Sequence, residues 1–198
     1  MNMYYQNKKN STIPKEWFFF NPENLSDSKK LNSLSKNVGV IFFNKNLNVY
    51  NFLKKIEPFI KFCRKKKIKF VIPFSKFWCS KYHAFGMMIE INKKSKKFHS
   101  KKNRHKNYFT VAKVHNIKEA FLAKSFIDLI FLSPVLKTDS YPEKKPLSNY
   151  IFISLCFFFK EKVIFALGGV NYKNIKSMKN RNLHGFGAIS CFDNNEKI

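Results

Sequence analysis

The chain has 198 residues and a formal net charge of +26, from 38 Lys and Arg against 12 Asp and Glu, and 44% of its residues are apolar. That apolar content excludes a chain that is disordered throughout, and the length suits a single domain over 1–198 with a sizeable core. The 24 phenylalanines accompany an equally heavy use of lysine, so we interpret both as one compositional bias. We therefore expect any binding of nucleic acid to be non-specific.

The cysteines and the apolar runs indicate a reduced protein that does not cross a membrane. The first ten residues are polar and contain no apolar signal-peptide core, and we treat 1–15 as an N-terminal extension. The longest apolar run, Tyr150–Phe159, is too short to cross a bilayer. No CxxC pair occurs, and Cys156 and Cys191 lie in strand-like runs where a thiol acts as a small hydrophobe. We expect a cytoplasmic protein with no membrane partner, and the sequence leaves its oligomeric state open.

Eight short apolar runs predict strands, and most are continuous rather than alternating, as strands buried on both faces require. In chain order they are Trp17–Phe20, Val38–Phe43, Ile68–Ile72, Gly86–Ile91, Tyr108–Lys113, Asp128–Leu132, Val163–Leu167 and Gly185–Ile189. Helix-like segments follow at Leu47–Lys65, Lys118–Lys124 and Tyr172–Lys179. This alternation predicts βαβ units and a parallel sheet. Eight strands suit a single (β/α)8 TIM barrel. Its connections must be shortened, because such barrels usually have about 250 residues and this chain has 198.

Two segments do not fit this alternation. Residues 92–106 are rich in Lys and Arg, so we predict a solvated basic loop, which is also the best candidate for contact with an anionic partner. Lys137–Asn149 contains Pro142 and Pro146 and is predicted to be a loop.

Asn116 marks the clearest helix start. It can cap the free amides of the first turn, and Glu119 can reach back from the third helical position. The preceding strand ends at Lys113, so His115 lies on a short strand-to-helix link. In a parallel barrel this is the end that carries functional residues.

A double glycine, Gly168-Gly169, follows an apolar strand and precedes Asn171. Two glycines let a backbone approach a ligand and present its N–H groups, and a helix start adds partial positive charge. An anionic phosphate or diphosphate suits such a site. An ordinary tight turn without a ligand explains the same residues equally well.

Hydroxyl and lysine side chains follow two neighbouring strands. Ser190 ends the last strand and would lie beside the double glycine, where barrels of this type often hold phosphate, although a lone serine is more often a helix cap. Ser133, Lys137 and Thr138 follow the sixth strand and could surround a diphosphate. The alternative is a plain proline-containing surface loop.

Taken in order, these motifs resemble the thiamine phosphate synthase and TenI family. The residues that carry the resemblance are Val-His-Asn-Ile-Lys-Glu-Ala (114–120), Phe-Leu-Ser-Pro-Val-Leu-Lys-Thr-Asp-Ser-Tyr-Pro (131–142), Pro-Leu-Ser (146–148) and Ala-Leu-Gly-Gly-Val (166–170). The family fold is a (β/α)8 barrel, which agrees with the strand count.

The resemblance implies a reaction and roles for residues. Synthases of this family join hydroxymethylpyrimidine diphosphate to thiazole phosphate and release diphosphate, with Mg²⁺ assisting. The resemblance also implies that Gly168, Gly169 and Ser190 hold the thiazole phosphate. It also implies that Thr138, with Lys137 nearby, lines the diphosphate side, and that His115 lies in the reaction chamber.

The first half of the chain departs from the family pattern. Phe43 stands near the place of an arginine that grips diphosphate, and Met88 stands where a histidine is usual. Glu90 is the one carboxylate left as a candidate ligand for Mg²⁺, which prefers such oxygens. Lys113 replaces a usual serine and could still face diphosphate as a catalytic-site cation. The alternatives are therefore a TenI-like thiazole tautomerase that uses His115 as acid and base, or a non-catalytic binder of phosphorylated ligands.

Overall fold

Eight parallel strands close into a barrel in the computed structural model, which describes residues 13–43, 49–73, 75–92, 107–138, 142–178 and 182–192. Each strand pairs with the next along the chain, and the last pairs with the first. The strands are β1 Glu16–Phe20, β2 Val38–Phe42, β3 Phe70–Pro73, β4 Gly86–Met88, β5 Phe109–Val114, β6 Leu129–Leu132, β7 Val163–Leu167 and β8 Gly185–Ala188. The predicted (β/α)8 barrel is confirmed, and every predicted strand is present with ends shifted by at most three residues.

Five α-helices lie on the described part of the barrel. They are α1 Leu25–Ser33, α2 Val49–Lys65, α3 Lys76–Tyr82, α4 Ile117–Ala123 and α5 Asn149–Phe158. The predicted helices of α2 and α4 are confirmed, whereas α1, α3 and α5 were not predicted. Each of these three begins at a polar cap whose side chain accepts a backbone N–H: Asn24, Ser75 and Ser148. Such a cap is a short-range signal that apolar content alone does not show.

The assignment of Cys156 to a strand-like run was wrong, because this residue lies in α5. Phe152, Leu155 and Cys156 are the buried residues of that helix, and their spacing of three and four places them on one helical face. Other apolar residues of the run are exposed or partly exposed, and Phe157 is 65% exposed. The continuous apolar run therefore hid the helical period that identifies the element.

Two apolar layers hold the barrel together. One layer fills the interior of the barrel, where the rings of Phe131 and Phe165 stack 4.8 Å apart and Trp17 meets both edge-on. The other layer lies between the strands and the helices and includes Phe18 and Phe20. Alternate residues of one strand thus serve opposite layers, as the pleat of a strand requires. This explains why both faces of the strands are apolar.

Glycine makes room for the large interior rings. A Cβ at Gly39 would overlap the ring of Trp17, and a Cβ at Gly187 would lie 2.6 Å from the ring of Phe19. The heavy use of phenylalanine in the core is therefore matched by glycines in neighbouring strands. Burying these rings is the main apolar contribution to stability.

All four cysteines are buried and free of disulfides. Burial raises the pKa of the thiols of Cys63 and Cys79 to about 12, which leaves them protonated and unreactive. Cys191 lies in the turn after β8. Across the described ranges, no helix combines the length and the apolar character that crossing a membrane requires. Most of the predicted N-terminal extension and nearly all of the basic loop lie outside the described residues.

Candidate functional site

A cavity of about 390 Å³ opens at the carboxyl end of the barrel. This size is within the usual range for small-molecule sites. It receives side chains from the ends of strands β5 to β8 and from the loop between β6 and α5. Eight of the nine residues singled out in the sequence line it: Lys113, His115, Ser133, Lys137, Thr138, Gly168, Gly169 and Ser190.

The end of β5 points two of these side chains into the cavity. Phe109 and Val111 belong to the interior layer, and the alternation of a strand turns Lys113 and then His115 to the same side. Lys113 is partly buried. Burial lowers the pKa of its amine, and the positive charge of Lys144 lowers it further, whereas Glu90 and Glu119 oppose that shift.

His115 is held by the first turn of α4. The Asn116 side chain accepts the N–H of Glu119 at 2.9 Å, so the predicted cap is confirmed. The Glu119 carboxylate accepts from both the backbone N–H and Nδ1 of His115, at 2.8 and 2.9 Å. A carboxylate only accepts, so Nδ1 carries the proton and Nε2 is the nitrogen left for a ligand.

The backbone at Gly168 and Gly169 itself requires glycine, independently of any ligand. Gly168 and Gly169 have φ angles of +90° and +69°, which residues with a Cβ adopt at a cost. Their peptide segment packs against the start of the loop after β6: Val135 donates to the carbonyl of Leu167 at 2.9 Å and Leu136 to that of Gly168 at 3.0 Å. The glycines thus bring the β6 and β7 loops together at the cavity, whether or not a ligand also requires them.

The prediction of a helix over Tyr172–Lys179 was wrong. The described part is a single 3-10 turn, Ile175–Met178, and Lys179 lies outside the described residues. Asn171 and Asn174 bond to one another's backbone N–H groups at 2.9 to 3.0 Å. The Asn171 carbonyl also accepts the N–H of Ile175 at 3.0 Å, so Asn171 caps a single turn, which has too few aligned peptide groups to supply the helix dipole expected behind the double glycine.

Ser133 and Ser190 reach the cavity from adjacent sides. Ser133 is buried at the end of β6, and Ser190 is exposed in the turn that follows β8. Lys137 is exposed and Thr138 is partly exposed on the loop between them. Hydroxyls and cations therefore surround the mouth of the cavity and could accept an anionic group.

Lys144 also lines the cavity and was missed from the sequence. It lies in the same proline-containing loop as Lys137 and Thr138, between Pro142 and Pro146. The signal was its membership of a loop that already carried candidate residues. With Lys113 and Lys137 it makes three lysines at one cavity.

Glu90 is the predicted candidate that does not line the cavity. It is exposed beyond the end of β4, close enough to Lys113 to affect its pKa. Within the described ranges no three or more His, Cys, Asp or Glu residues gather as metal ligands. The described residues therefore supply no ready-made carboxylate cluster for Mg²⁺, which proteins usually bind through one or two carboxylates together with substrate phosphates.

The sequence model of the thiamine monophosphate synthase family matches residues 31–192 of this chain. A curated relative, the putative thiamine-phosphate synthase 2 of Aquifex aeolicus, is 31% identical over 90 residues, which are 43% of this chain and 46% of the relative. The match thus spans less than half the length of that relative.

Solved structures share the fold. The thiamine phosphate pyrophosphorylase of Pyrococcus furiosus superposes with a TM-score of 0.63 at 15% identity, over 92% of this chain and 90% of that one. An HpcH/HpaI aldolase of Desulfitobacterium hafniense has a TM-score of 0.61 at 8% identity, over 93% and 89% of the two chains. At these identities the structures show the barrel alone. From the match of the family model over most of its length, the chain belongs to the thiamine monophosphate synthase family.

Proposed function

We propose that this chain condenses hydroxymethylpyrimidine diphosphate with thiazole phosphate to give thiamine phosphate and diphosphate. The observation that supports this best is the gathering of three lysines, two serines and the double glycine around one cavity. Both substrates are anionic, and a positive cavity holds two anions side by side more readily than water does. Family membership supports the same reaction.

The proposal gives each wall of the cavity a task. Ser190 and the backbone beside Gly168 and Gly169 bind the thiazole phosphate. Lys137 and Thr138, joined by Lys144, bind the diphosphate. As the pyrimidine leaves, negative charge grows on the departing diphosphate, and lysines already in place stabilise it without reorganisation.

His115 is positioned to move a proton or donate a hydrogen bond within this cavity. Glu119 fixes its ring through Nδ1, so Nε2 keeps a constant direction. In the synthase reaction this places Nε2, which accepts a hydrogen bond from the neutral ring and donates one from the protonated ring, beside the reacting groups. The same arrangement is what the tautomerase alternative needs.

Mg²⁺ remains an expectation that rests on the family, and the described residues supply no carboxylate cluster for it. We therefore assign no step to it. Product formation measured with added MgCl₂ and with a chelator tests this expectation directly.

The deciding experiment incubates the purified chain with both substrates and follows thiamine phosphate by chromatography. We expect product from wild type and a large loss in Lys137→Ala, with Lys118→Ala as the control because Lys118 is exposed on α4, outside the cavity. Tight binding of thiazole phosphate with no product under any metal condition would exclude the synthase and leave the tautomerase and the non-catalytic binder.

A thiazole tautomerase is the second candidate, and the His115–Glu119 pair is the observation that favours it. Tautomerisation needs one acid–base group and no second substrate. Conversion of the thiazole tautomer by wild type, lost in His115→Asn, would support it. Thiamine phosphate formation in the same preparation would assign the chain to the synthase instead.

A further inference from the structure

Lys113 occupies a position in the barrel that an ordinary surface lysine does not. It follows Phe109 and Val111, which face the apolar interior of the barrel, and its side chain lines the cavity. Its neighbours Ala112 and Val114 are fully buried on the opposite side of the strand. The backbone of β5 is therefore fixed on both sides, and the Lys113 side chain lines the cavity from the end of that strand.

The surroundings of this amine favour its uncharged form. Burial lowers its pKa, and the next largest cause is the positive charge of Lys144 on the loop between β6 and α5. Glu90 beyond β4 and Glu119 on α4 act in the opposite sense without cancelling the shift. An uncharged lysine amine is a nucleophile, and a desolvated lysine beside a second cation is a known way to obtain one.

The remaining requirements of amine chemistry are met by neighbouring groups. His115 lies two residues further along the chain, directly after β5, and lines the same cavity, with its ring held by Glu119. Such a pair can give and take protons during addition to a carbonyl. Lys137, Lys144 and Ser190 line the same cavity and can hold an anionic group on the reacting molecule.

We propose that Lys113 is the nucleophile of a carbonyl-binding site and forms a Schiff base with a small phosphorylated aldehyde or ketone. This goes beyond the synthase reaction, in which no bond to the protein is needed. A phosphorylated compound is favoured because its carbonyl would meet Lys113 while its phosphate meets Lys137, Lys144 and Ser190, which line the same cavity.

The chemical step balances without another reactant. The nitrogen lone pair of Lys113 attacks the carbonyl carbon, and the carbon–oxygen π pair moves to oxygen. A proton passes from nitrogen to that oxygen through His115, giving a carbinolamine. Protonation of the hydroxyl then releases water as the nitrogen pair forms the carbon–nitrogen double bond, so one water leaves and nothing is oxidised or reduced.

Reductive trapping tests this directly. Wild-type protein is treated with glycolaldehyde phosphate and sodium cyanoborohydride near neutral pH, and the modified lysines are located by peptide mass spectrometry. The exposed Lys118 on α4 serves as an internal reference. We expect Lys113 to be modified faster than Lys118, because burial lowers the pKa of the Lys113 amine and so raises its uncharged fraction near neutral pH.

Two comparisons test whether the modification of Lys113 depends on the cavity and on its binding of an anionic group. Excess inorganic diphosphate should slow the modification of Lys113 and leave that of Lys118 unchanged. Lys137→Ala should slow trapping of glycolaldehyde phosphate at Lys113 but not trapping of unphosphorylated glycolaldehyde. Modification of Lys113 at the rate of Lys118 or below would overturn the proposal, and equal trapping of both aldehydes in wild type would overturn its phosphorylated substrate class.

Discussion

The two halves of the barrel present different chemistry at the same end. Strands β5 to β8 and their loops bring lysine, histidine and serine to the cavity, whereas among the described residues strands β1 to β4 contribute Phe19 and the adjoining Phe43. The rings of these two residues lie 5.9 Å apart, edge to face. One wall of the cavity is therefore cationic and the other aromatic.

This difference shows that the fold and its polar site can be retained separately. The barrel needs continuous apolar strands, and both halves have them. It does not need polar residues at the strand ends, and the first half has Phe43 where the family resemblance expects an arginine. An aromatic wall suits a flat heterocycle, and the cationic wall suits its phosphate.

The largest predicted effect comes from removing the cationic wall. In the double variant Lys137→Ala/Lys144→Ala, we expect the affinity for inorganic diphosphate to fall about 100-fold, because each charged group contributes about tenfold when it meets an anion directly. Calorimetric titration measures this change. Lys118→Ala/Lys124→Ala removes the same charge from α4 and the residue that follows it, outside the cavity, and an equal loss of diphosphate affinity in that control would mean that only net charge matters.

A smaller effect is expected from restoring a cation to the aromatic wall. Phe43 is partly buried and lines the cavity, so Phe43→Arg should raise the affinity for diphosphate about tenfold through a forked contact. The same titration, with Phe43→Leu as the control for loss of the ring, measures it. An unchanged affinity for diphosphate in Phe43→Arg would contradict our inference that the first half of the barrel lacks only a positive charge for binding diphosphate.

The sequence was informative wherever a short pattern has one structural outcome. The apolar runs predicted all eight strands, and Asn116 with Glu119 predicted the start of α4. It was misleading after Asn171, where the expected helix is a single 3-10 turn, Ile175–Met178, within the described residues. Lys144 was missed although its loop carried other candidate residues, because nothing in its immediate neighbours distinguishes a cavity lysine from the many on the surface.

A stability change separate from the cavity is predicted at the amino end of β5. The Thr110 hydroxyl lies 2.7 Å from the carbonyl oxygen of Phe126 and 2.9 Å from the Asp128 carboxylate, and it accepts the N–H of Asp128 at 3.1 Å. Thr110→Val removes the hydroxyl from these contacts, while the Thr110 N–H still donates to the Asp128 carboxylate and the Asp128 N–H still donates to the Thr110 carbonyl, so we expect a cost of about 1 kcal/mol in the free energy of unfolding. Urea denaturation measures it. Diphosphate affinity should not change, and a parallel loss of binding would show that the two ends of β5 are coupled.

The smallest effect is the pH dependence of stability that arises from Lys113. Its pKa in the folded protein lies below the ordinary value of 10.5, so between the two values the unfolded chain binds more protons. The free energy of unfolding then rises with pH through that window, and below it the buried charge lowers stability. Lys113→Met should remove this slope, and the excess stability of the variant over wild type should shrink as the pH approaches 10.5. Urea denaturation across this pH range measures the slope of the free energy of unfolding against pH, with Lys118→Met as the control. Equal slopes in wild type and Lys113→Met would contradict this prediction.

The central claim is that the cavity at the ends of β5 to β8 binds a phosphorylated substrate. Its most direct test is calorimetric titration of thiazole phosphate into wild type and Ser190→Asp. Ser190 suits this better than Gly169, where any side chain would meet Leu136 and strain the loop. We expect wild type to bind and Ser190→Asp to lose tenfold or more of the affinity for thiazole phosphate, because the new carboxylate would face the phosphate. The loss should be on the order of several kcal/mol of binding free energy at most. No binding by folded wild type, or equal affinity in the two proteins, would contradict it.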